Sequence, residues 1–193
     1  MCFGCYNHRG FFLLVSFFIL LFFLVVRWWF VFLQETYEIE DCWKYGFQNW
    51  IGTYTTVDDY ITNISTNSGL DTFTFPQDFE ITYKYYLTSA TEQNNLLWLL
   101  GQTENNGVLI GSEGTNRRIR IYNRTTTNTK VAEQNYAFVL NEWNTITITY
   151  ENNVASIKGN DVPISYSKTF TPSKFLTYAS SSARIKEFKI KAL

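Results

Sequence analysis

The chain has 193 residues, enough for one domain of ordinary size and one additional segment. Its 16 basic and 17 acidic residues give a net charge of −1, which argues against a nucleic-acid partner because such proteins usually carry an excess of basic residues. The three cysteines and one histidine exclude a disulfide framework, and the CxxC pair Cys2 and Cys5 lacks the second pair of ligands that a zinc site needs.

A hydrophobic segment begins the chain. Phe11–Val26 contains no charged residue, Arg27 follows it, and Trp28–Leu33 continues the apolar run. A membrane-spanning helix needs about 20 apolar residues, and an arginine near its end can reach the headgroups while tryptophans lie at the interface. We therefore predict that residues 1–33 form an N-terminal hydrophobic segment with one transmembrane helix.

The charges beside this helix predict its orientation. His8 and Arg9 precede it, so the positive-inside tendency places them in the cytoplasm and the following domain outside the cell. A cleaved signal peptide is one alternative, but large residues follow the apolar run where a cleavage site needs small ones. A second alternative is an upstream extension that is not part of the functional product.

Residues 34–193 contain short alternating segments separated by polar turns, which is the pattern of an all-β sandwich domain. In Phe79–Leu87, apolar and aromatic residues recur at every second position and are predicted to face a core. Leu96–Leu100 is apolar on both faces, which predicts a central strand. The same reasoning predicts strands at Val108–Ile110, after an Asn-Asn-Gly turn, and at Arg118–Tyr122.

The C-terminal half of the domain continues this pattern. Thr145–Tyr150 alternates threonine with apolar residues, as a half-buried strand does. Glu151–Asn153 is predicted to form a tight turn, after which Val154–Lys158 returns as the partner strand of a hairpin. A last strand is predicted at Ala183–Ile190. The predicted core residues of these strands are Ile146, Ile148, Tyr150, Ile185, Phe188 and Ile190.

One stretch of this pattern resembles a known family. Trp143 begins the strand TITITY, the turn ENN follows, and the partner strand VASIKGN ends near Gly159. This arrangement resembles the concanavalin A-like lectin/glucanase superfamily of laminin-G-like jelly rolls, over roughly residues 35–193. The resemblance implies two antiparallel sheets packed face to face, with Trp143 in the core. The stretch Glu38–Cys42 adds a similarity to appendage sandwich domains of phages and archaeal viruses.

Catalytic sets are missing from the sequence. A retaining glucanase on this fold needs two carboxylates about 5 Å apart, commonly on one strand as ExDxxE, and no such string occurs. Glu38, Glu40 and Asp41 form the nearest cluster, which we interpret as solvated residues. His8 lies before the apolar segment, so a serine or cysteine nucleophile has no base. We therefore predict that the protein is not an enzyme.

No cofactor or metal site is predicted, although calcium is common in the family that the chain resembles. Calcium requires about six to eight oxygen ligands, several of them from carboxylates. Asp58 with Asp59, and Asp71 with Asp78, are the loop pairs that could contribute such ligands. Acidic residues are also ordinary in solvated loops, which is the alternative interpretation.

Glycan binding requires an aromatic platform with planar polar groups beside it. The outward positions of the predicted strands offer such groups, and Trp98 joins them if its ring faces the groove. A tryptophan inside LLWLL is, however, more typical of a core, and Tyr86 and Tyr122 are also typical of cross-strand pairs. Trp43 and Trp50 are predicted to cover an open end of the sandwich. The predicted ligand-binding residues are Lys84, Tyr86, Trp98, Arg118, Arg120, Tyr122 and Asn123.

Together these patterns favour a non-catalytic carbohydrate-binding or adhesion module, displayed on a membrane or on a virus surface. Its predicted partner is a glycan or a cell-surface polysaccharide, with the membrane bound through the N-terminal segment and no nucleic acid. The first alternative is a structural virion or surface protein whose sandwich assembles into a homo-oligomer. The second is a glycan hydrolase, which would require an acid pair that the sequence does not show.

Overall fold

The computed structural model describes residues 50–89, 94–136, 138–159 and 163–193. The predicted N-terminal helix within residues 1–33 lies outside these ranges, as do Glu38–Cys42 and Trp43. Among the described residues, no helix has the length and apolar character that crossing a membrane requires.

Two seven-stranded sheets make up the described part of the chain, and each strand pair is antiparallel. The first sheet contains, in spatial order, β1 (Trp50–Ile51), β4 (Gly69–Leu70), β13 (Lys174–Thr177), β6 (Leu96–Thr103), β7 (Asn106–Glu113), β8 (Arg118–Arg124) and β9 (Asn128–Asn135). The second contains β12 (Ile164–Ser167), β11 (Val154–Lys158), β10 (Trp143–Glu151), β5 (Phe79–Tyr86), β14 (Arg184–Ala192), β3 (Tyr60–Thr62) and β2 (Thr55–Val57). The predicted all-β sandwich is confirmed.

Hydrophobic alternation predicted the central strands well. In β5 the inward residues are fully buried and the outward ones are half-buried, as the period of two requires. Strand β6 is buried on both faces over most of its length, which confirms it as a central strand. The inward residues of β10 are buried as well. The turn before β7 lies at Glu104–Asn105, so this strand begins at Asn106 rather than after Gly107.

Strands without alternation were not predicted. Strand β9, with the sequence NTKVAEQN, lies at the edge of the first sheet and is exposed at most positions. Because neither of its faces buries much apolar surface, its sequence carries no hydrophobic period. Strands β12 and β13 have only four residues each, which is too short for a period to be recognised.

A β-bulge sets the phase of β14. Ile185 and Phe188 are three residues apart, and in a regular strand this odd spacing would place them on opposite faces. The pairing of β14 with β5 shifts between Lys186 and Lys189, and Glu187 between them has a φ of 52°. The extra residue restores the phase, so that Ile185 and Phe188 are both buried, as predicted.

The two sheets meet at a cluster of aromatic side chains around Trp98 of β6. The Trp98 ring stacks on Phe175 of β13, with 4.4 Å between ring centroids. Across the interface, its Nε1 donates a hydrogen bond to the hydroxyl of Tyr83 on β5, at 3.2 Å. Phe188 of β14 packs against the rings of Tyr83 and Trp98. Trp50, in the edge strand β1, also joins this cluster and lies edge-on to Trp98.

Replacing the central ring tests this core. We expect Trp98→Ala to lower the free energy of unfolding by about 3–5 kcal/mol, because it removes a fully buried aromatic side chain and leaves a cavity. Urea unfolding of the full chain in detergent measures the loss. Val139→Ala, at a side chain that is 45 % exposed, is the control and should change little. Equal effects of the two substitutions would contradict the assigned core.

Two buried tyrosines predict how stability depends on pH. Burial raises the pKa of Tyr83 and of Tyr85 well above the ordinary value of 10.0. Above about pH 10 the tyrosines of the unfolded chain release protons that the folded domain keeps. The contribution of Tyr83 and Tyr85 to the free energy of unfolding is therefore fully present below about pH 10 and falls as the pH rises further. Each tyrosine should add about 1.4 kcal/mol per pH unit to this fall, and Tyr83→Phe should reduce the slope. Urea unfolding between about pH 8 and pH 11 measures it.

Candidate functional site

The outer side of the first sheet combines an apolar floor with a charged rim. We call it the first face, and it consists of the outward residues of β13, β6, β7, β8 and β9. Leu176, Leu99 and Leu109 lie side by side on adjacent strands and are at most 5 % exposed. The strand register places the three leucines on the side of the first sheet that faces away from the core.

The outward positions beside Leu109 on β7 are glycines, so no side chain projects there. Gly107 and Gly111 flank Leu109 on the outward side of β7. A Cβ atom at Gly111 would lie only 2.1 Å from the Leu96 carbonyl oxygen, so no larger residue fits the strand pairing there. Gly111 is paired with Arg120 of β8, and the absence of a side chain on β7 leaves room beside that arginine.

A network of ion pairs forms the rim, centred on Arg120. Its Nη1 lies 2.7 Å from Glu113 Oε1 on β7, and its Nε lies 2.6 Å from Glu133 Oε2 on β9. The same Nη1 donates a hydrogen bond to the hydroxyl of Tyr122, at 3.2 Å. Arg118 and Lys130 also bind Glu133, at 2.9 and 3.2 Å. The strand register explains the arrangement, because Arg120 is paired with Glu133 across β8 and β9.

The network sits in surroundings that favour its charges. The side chains of Arg120 and Glu113 are only 15 % and 14 % exposed, so their ion pair is less screened by water than an ordinary surface pair. Burial opposes ionisation of Glu133, but the hydrogen bonds and charges of Lys130, Arg120 and Arg118 outweigh it and lower the pKa of its carboxyl. The rim therefore presents fixed donors and acceptors near neutral pH.

A tyrosine bridges the first face from the opposite side. Tyr178 follows β13, and its hydroxyl accepts a hydrogen bond from Asn128 Nδ2 of β9, at 2.7 Å. The guanidinium of Arg124 lies 5.5 Å from the centroid of the Tyr178 ring. These contacts join the segment after β13 to the strands β8 and β9 at the far edge of the sheet. The ring is 37 % exposed and gives the face an aromatic surface.

The structure divides the predicted ligand-binding residues among three places. Arg118, Arg120 and Tyr122 lie together on the first face. Lys84 and Tyr86 are outward, as predicted, but they belong to β5 of the second sheet and lie on the opposite side of the sandwich. The remaining two, Trp98 and Asn123, are on neither outer face.

Trp98 and Asn123 have structural positions instead. Trp98 is fully buried in the core, the alternative that the sequence also favoured. Asn123 projects from the inward side of β8, and its Oδ1 accepts a hydrogen bond from Lys168 Nζ, at 2.7 Å. The same amine donates to the carbonyl oxygens of Gly107 and Arg124, so Lys168 ties β7 and β8 together. Burial lowers the pKa of this lysine.

Trp143 is not the core residue that the family resemblance implied. It begins β10, as predicted, but its side chain is half-buried on the outer side of the second sheet. There it packs against Tyr86, with 5.1 Å between centroids, and against Tyr60. Inward positions of β10 are Asn144, Ile146 and the alternate residues that follow, so strand phase alone places Trp143 outside.

Sequence reasoning missed several residues of the first face. Glu133 and Asn128 belong to β9, the edge strand that shows no hydrophobic period. Glu113 shares the outward phase of β7, and it could have been found by extending that alternation beyond Ile110. Tyr178 lies after a four-residue strand, and no local pattern indicated that it contacts β8 and β9.

Three of the four loop aspartates named as candidate calcium ligands have other partners. Asp59 binds Lys186 at 2.6 Å, and Asp71 forms an ion pair with Lys174. Asp78 accepts a hydrogen bond from the backbone N–H of Asn152, at 2.8 Å. In the ranges that the structure describes, no group of three or more His, Cys, Asp or Glu residues is placed to hold a metal ion.

Comparison with solved structures identifies the fold. The chain is similar to carbohydrate-binding module CBM66 from Bacillus subtilis, with a TM-score of 0.54, 13 % identity, and coverage of 75 % of this chain and 96 % of that one. The exoplasmic/lumenal domain of VIP36, in a form bound to Ca²⁺ and Man3GlcNAc, is similar with a TM-score of 0.54 and 10 % identity. The match covers 75 % of this chain and 85 % of that one. Galectin LEC-6 from Caenorhabditis elegans is similar with a TM-score of 0.51 and 11 % identity, over 70 % of this chain and 98 % of that one. The sequence matches no protein-family model and no curated protein.

These similarities establish the architecture alone, because each identity is far below 25 %. The domain is an antiparallel two-sheet sandwich whose architecture is similar to that of these lectin and carbohydrate-binding structures. The resemblance to virus appendage domains stays a prediction.

The lowered pKa of Glu133 can be measured directly. We expect its carboxyl to titrate below the ordinary value of 4.5 in an NMR titration of the full chain in detergent. Lys130→Gln should raise that pKa, because it removes one hydrogen bond and one charge from the carboxylate. The matched control is Lys84→Gln on the other sheet, which should leave the pKa unchanged. A Glu133 pKa above 4.5 in the unmodified chain would contradict the network.

Proposed function

We propose that the domain binds carbohydrate through the first face and does not catalyse a reaction. The observation that carries this proposal is the ion-pair network around Arg120, set beside an apolar floor. A sugar ring has the complementary surface, with apolar C–H groups on one side and hydroxyl groups along its edge. The Tyr122 and Tyr178 rings suit the first, and the rim of arginine, glutamate and asparagine suits the second.

The rim offers both halves of the hydrogen bonds that a sugar hydroxyl makes. Arg118, Arg120 and Arg124 donate, whereas Glu113 and Glu133 accept. A hydroxyl that bridges a guanidinium and a carboxylate can donate to one and accept from the other. Because the ion pairs hold these groups in place before a ligand arrives, little side-chain entropy is lost on binding.

The charges at the centre of the rim largely compensate one another, which favours a neutral glycan. Arg120 is bound by two carboxylates, and Glu133 is bound by three cations. An anionic ligand would have to compete with Glu113 and Glu133 for their cations. A neutral ligand can add hydrogen bonds without separating an ion pair.

The similar structures support a binding function in general terms. One is a carbohydrate-binding module, and another is domain 4 of an arabinanase from Geobacillus stearothermophilus, in complex with arabinotriose, with a TM-score of 0.52. VIP36 forms with bound mannose ligands share the same architecture. Fold likeness alone does not fix function, so the residues of the first face carry the proposal.

Glu113 and Glu133 do not suit the hydrolase alternative, although they are two carboxylates on one face. A glycosidase general acid needs a raised pKa so that it can hold a proton near neutral pH. The pKa of Glu133 is lowered instead, and both carboxylates are bound to the same guanidinium. Their arrangement suits fixed acceptors better than an acid and a nucleophile.

Display on a membrane is part of the proposal. The apolar run Phe11–Val26 and the interfacial Trp28 and Trp29 would hold the chain in a bilayer, with the sandwich on the outer side. A surface position would place the first face where glycans of other cells or of a matrix are present. Display on a virus particle stays an alternative location, and self-assembly of the sandwich an alternative role.

A glycan array tests the proposal with the full chain in detergent. We expect saturable binding to a neutral glycan, and a loss of affinity of about tenfold or more in Arg120→Ala and in Tyr178→Ala, since each removes contacts of about 1.4 kcal/mol or more. Lys84→Ala and Tyr86→Ala, on the opposite side of the sandwich, are the matched controls and should bind normally. The thermal midpoint of each variant shows whether it is folded.

Two results would oppose the proposal. Loss of neutral-glycan binding in Lys84→Ala but not in Arg120→Ala would move the site to the other sheet, and a folded chain that binds no neutral glycan would favour the structural alternative. Release of reducing ends from a bound glycan, abolished by Glu113→Gln, would restore the hydrolase alternative.

A further inference from the structure

The outer side of the second sheet carries a concentration of basic side chains that the proposed function does not use. We call it the second face, and it consists of the outward residues of β11, β10, β5, β14 and β3. Strand β14 contributes most of its charge, because the bulge at Glu187 keeps basic residues outward on both sides of the phase shift. The basic residues of the second face are Lys84, Lys158, Arg184, Lys186, Lys189 and Lys191.

Few of these charges are neutralised. Lys186 binds Asp59, whereas the other basic residues of the second face form no ion pair with any residue that the structure describes. Lys84 is paired directly with Lys186 across β5 and β14, and like charges in that position destabilise a sheet. Its amine donates a hydrogen bond to Thr145 Oγ1, at 3.1 Å. In the described part of the chain, the acidic residues on or beside this face are Asp59, Glu80, Glu151 and Glu187, and Glu80 is paired directly with Lys191 across β5 and β14.

The whole chain has a net charge of −1, so this concentration does not follow from composition. On the first face, by contrast, Arg118, Arg120 and Lys130 are each held by a carboxylate. Unneutralised cations on a flat sheet create a positive potential that attracts an anionic partner.

Aromatic rings fix the orientation of the cations at one end of the second face. The guanidinium of Arg184 lies 5.2 Å from the ring centroids of both Tyr60 and Tyr86. The amine of Lys186 lies 4.5 Å from the centroid of Trp143. Rings in these positions restrict the rotamers of both cations, so the Arg184 N–H groups are already placed for a carboxylate or sulfate group.

We propose that the second face binds an acidic polysaccharide, one that carries carboxylate or sulfate groups along its chain. Lys189 and Lys191 are two residues apart on β14, so their Cα atoms are separated by about 7 Å along the strand. Lys84 and Lys186 continue the row, and Thr82, Thr145 and Thr149 supply hydroxyl groups between the cations. An extended chain with regularly repeated anions could therefore contact several cations at once.

Single-stranded nucleic acid fits this surface less well. Proteins that bind it stack the bases on exposed aromatic rings. Here cations lie against the three rings, Arg184 against Tyr60 and Tyr86 and Lys186 against Trp143, so a base would have to displace them. A polysaccharide needs only the cations and the hydroxyl groups.

Binding of heparin oligosaccharides, polygalacturonate, neutral dextran and a poly-dT oligonucleotide to the full chain in detergent tests the proposal. We expect the two acidic polysaccharides to bind, dextran not to bind, and the affinity to fall steeply between about 50 mM and about 200 mM salt. The double variant Lys189→Glu with Lys191→Glu should bind them about tenfold or more weakly at low salt, since it removes two cations and adds two like charges. Both side chains are exposed, so the variant should remain folded.

The matched control reverses one exposed charge that lies on neither face, in Arg117→Glu, and is compared with the single variant Lys189→Glu. It should bind the acidic polysaccharides nearly as well as the unmodified chain. Equal losses in Arg117→Glu and Lys189→Glu would overturn the proposal, because net charge rather than the second face would then decide binding. Tighter binding of poly-dT than of both polysaccharides would also overturn it.

The two proposed sites can fail independently. Arg120→Ala should leave heparin binding unchanged, and the Lys189 and Lys191 variant should leave neutral-glycan binding unchanged. If Arg120→Ala also abolishes heparin binding in a folded chain, the acidic polysaccharide binds the first face and the second face has no such site.

Discussion

The contact between Trp98 and its aromatic neighbours determines which side chains can reach solvent. Trp98 and Phe175 belong to the first sheet, Tyr83 and Phe188 to the second, and their rings meet between the two sheets. Because the direction of side chains alternates along a strand, an aromatic residue held in the core fixes the phase of every other residue on its strand. The outward positions of β5, β6 and β13, and those of β14 on the C-terminal side of its bulge, therefore depend on this one cluster.

The parts of the fold that were predictable are those in which burial leaves a period in the sequence. The alternation of β5 and β10 identified both strands and their inward residues, because one side of each packs on the core. Strand β9 shows no such period, so the strand was not predicted and its residues Glu133 and Asn128 were missed. The predicted site combined Lys84 and Tyr86 with Arg120 because alternation shows that a residue points outward without showing which sheet it belongs to. That information lies in strand pairing between distant segments, which a single sequence does not display.

The two outer faces differ in how their charges are balanced. On the first, each carboxylate of the rim has a cation within hydrogen-bonding distance, and the result is a rigid polar surface with little net field. On the second, most of the cations have no acidic partner among the described residues, and aromatic rings rather than carboxylates hold Arg184 in place. A single sandwich of nearly neutral charge can therefore present one surface suited to hydrogen bonding and another suited to attraction of anions.

The bulge at Glu187 has a consequence for how this chain can vary in evolution. Core residues and basic residues interleave along β14, so the number of residues between Ile185 and Ile190 decides which set faces the core. Loss of one codon there would turn Lys189 and Lys191 towards the aromatic cluster and Ile190 towards solvent. Related chains should thus exchange one basic residue for another freely in this strand while keeping its length unchanged.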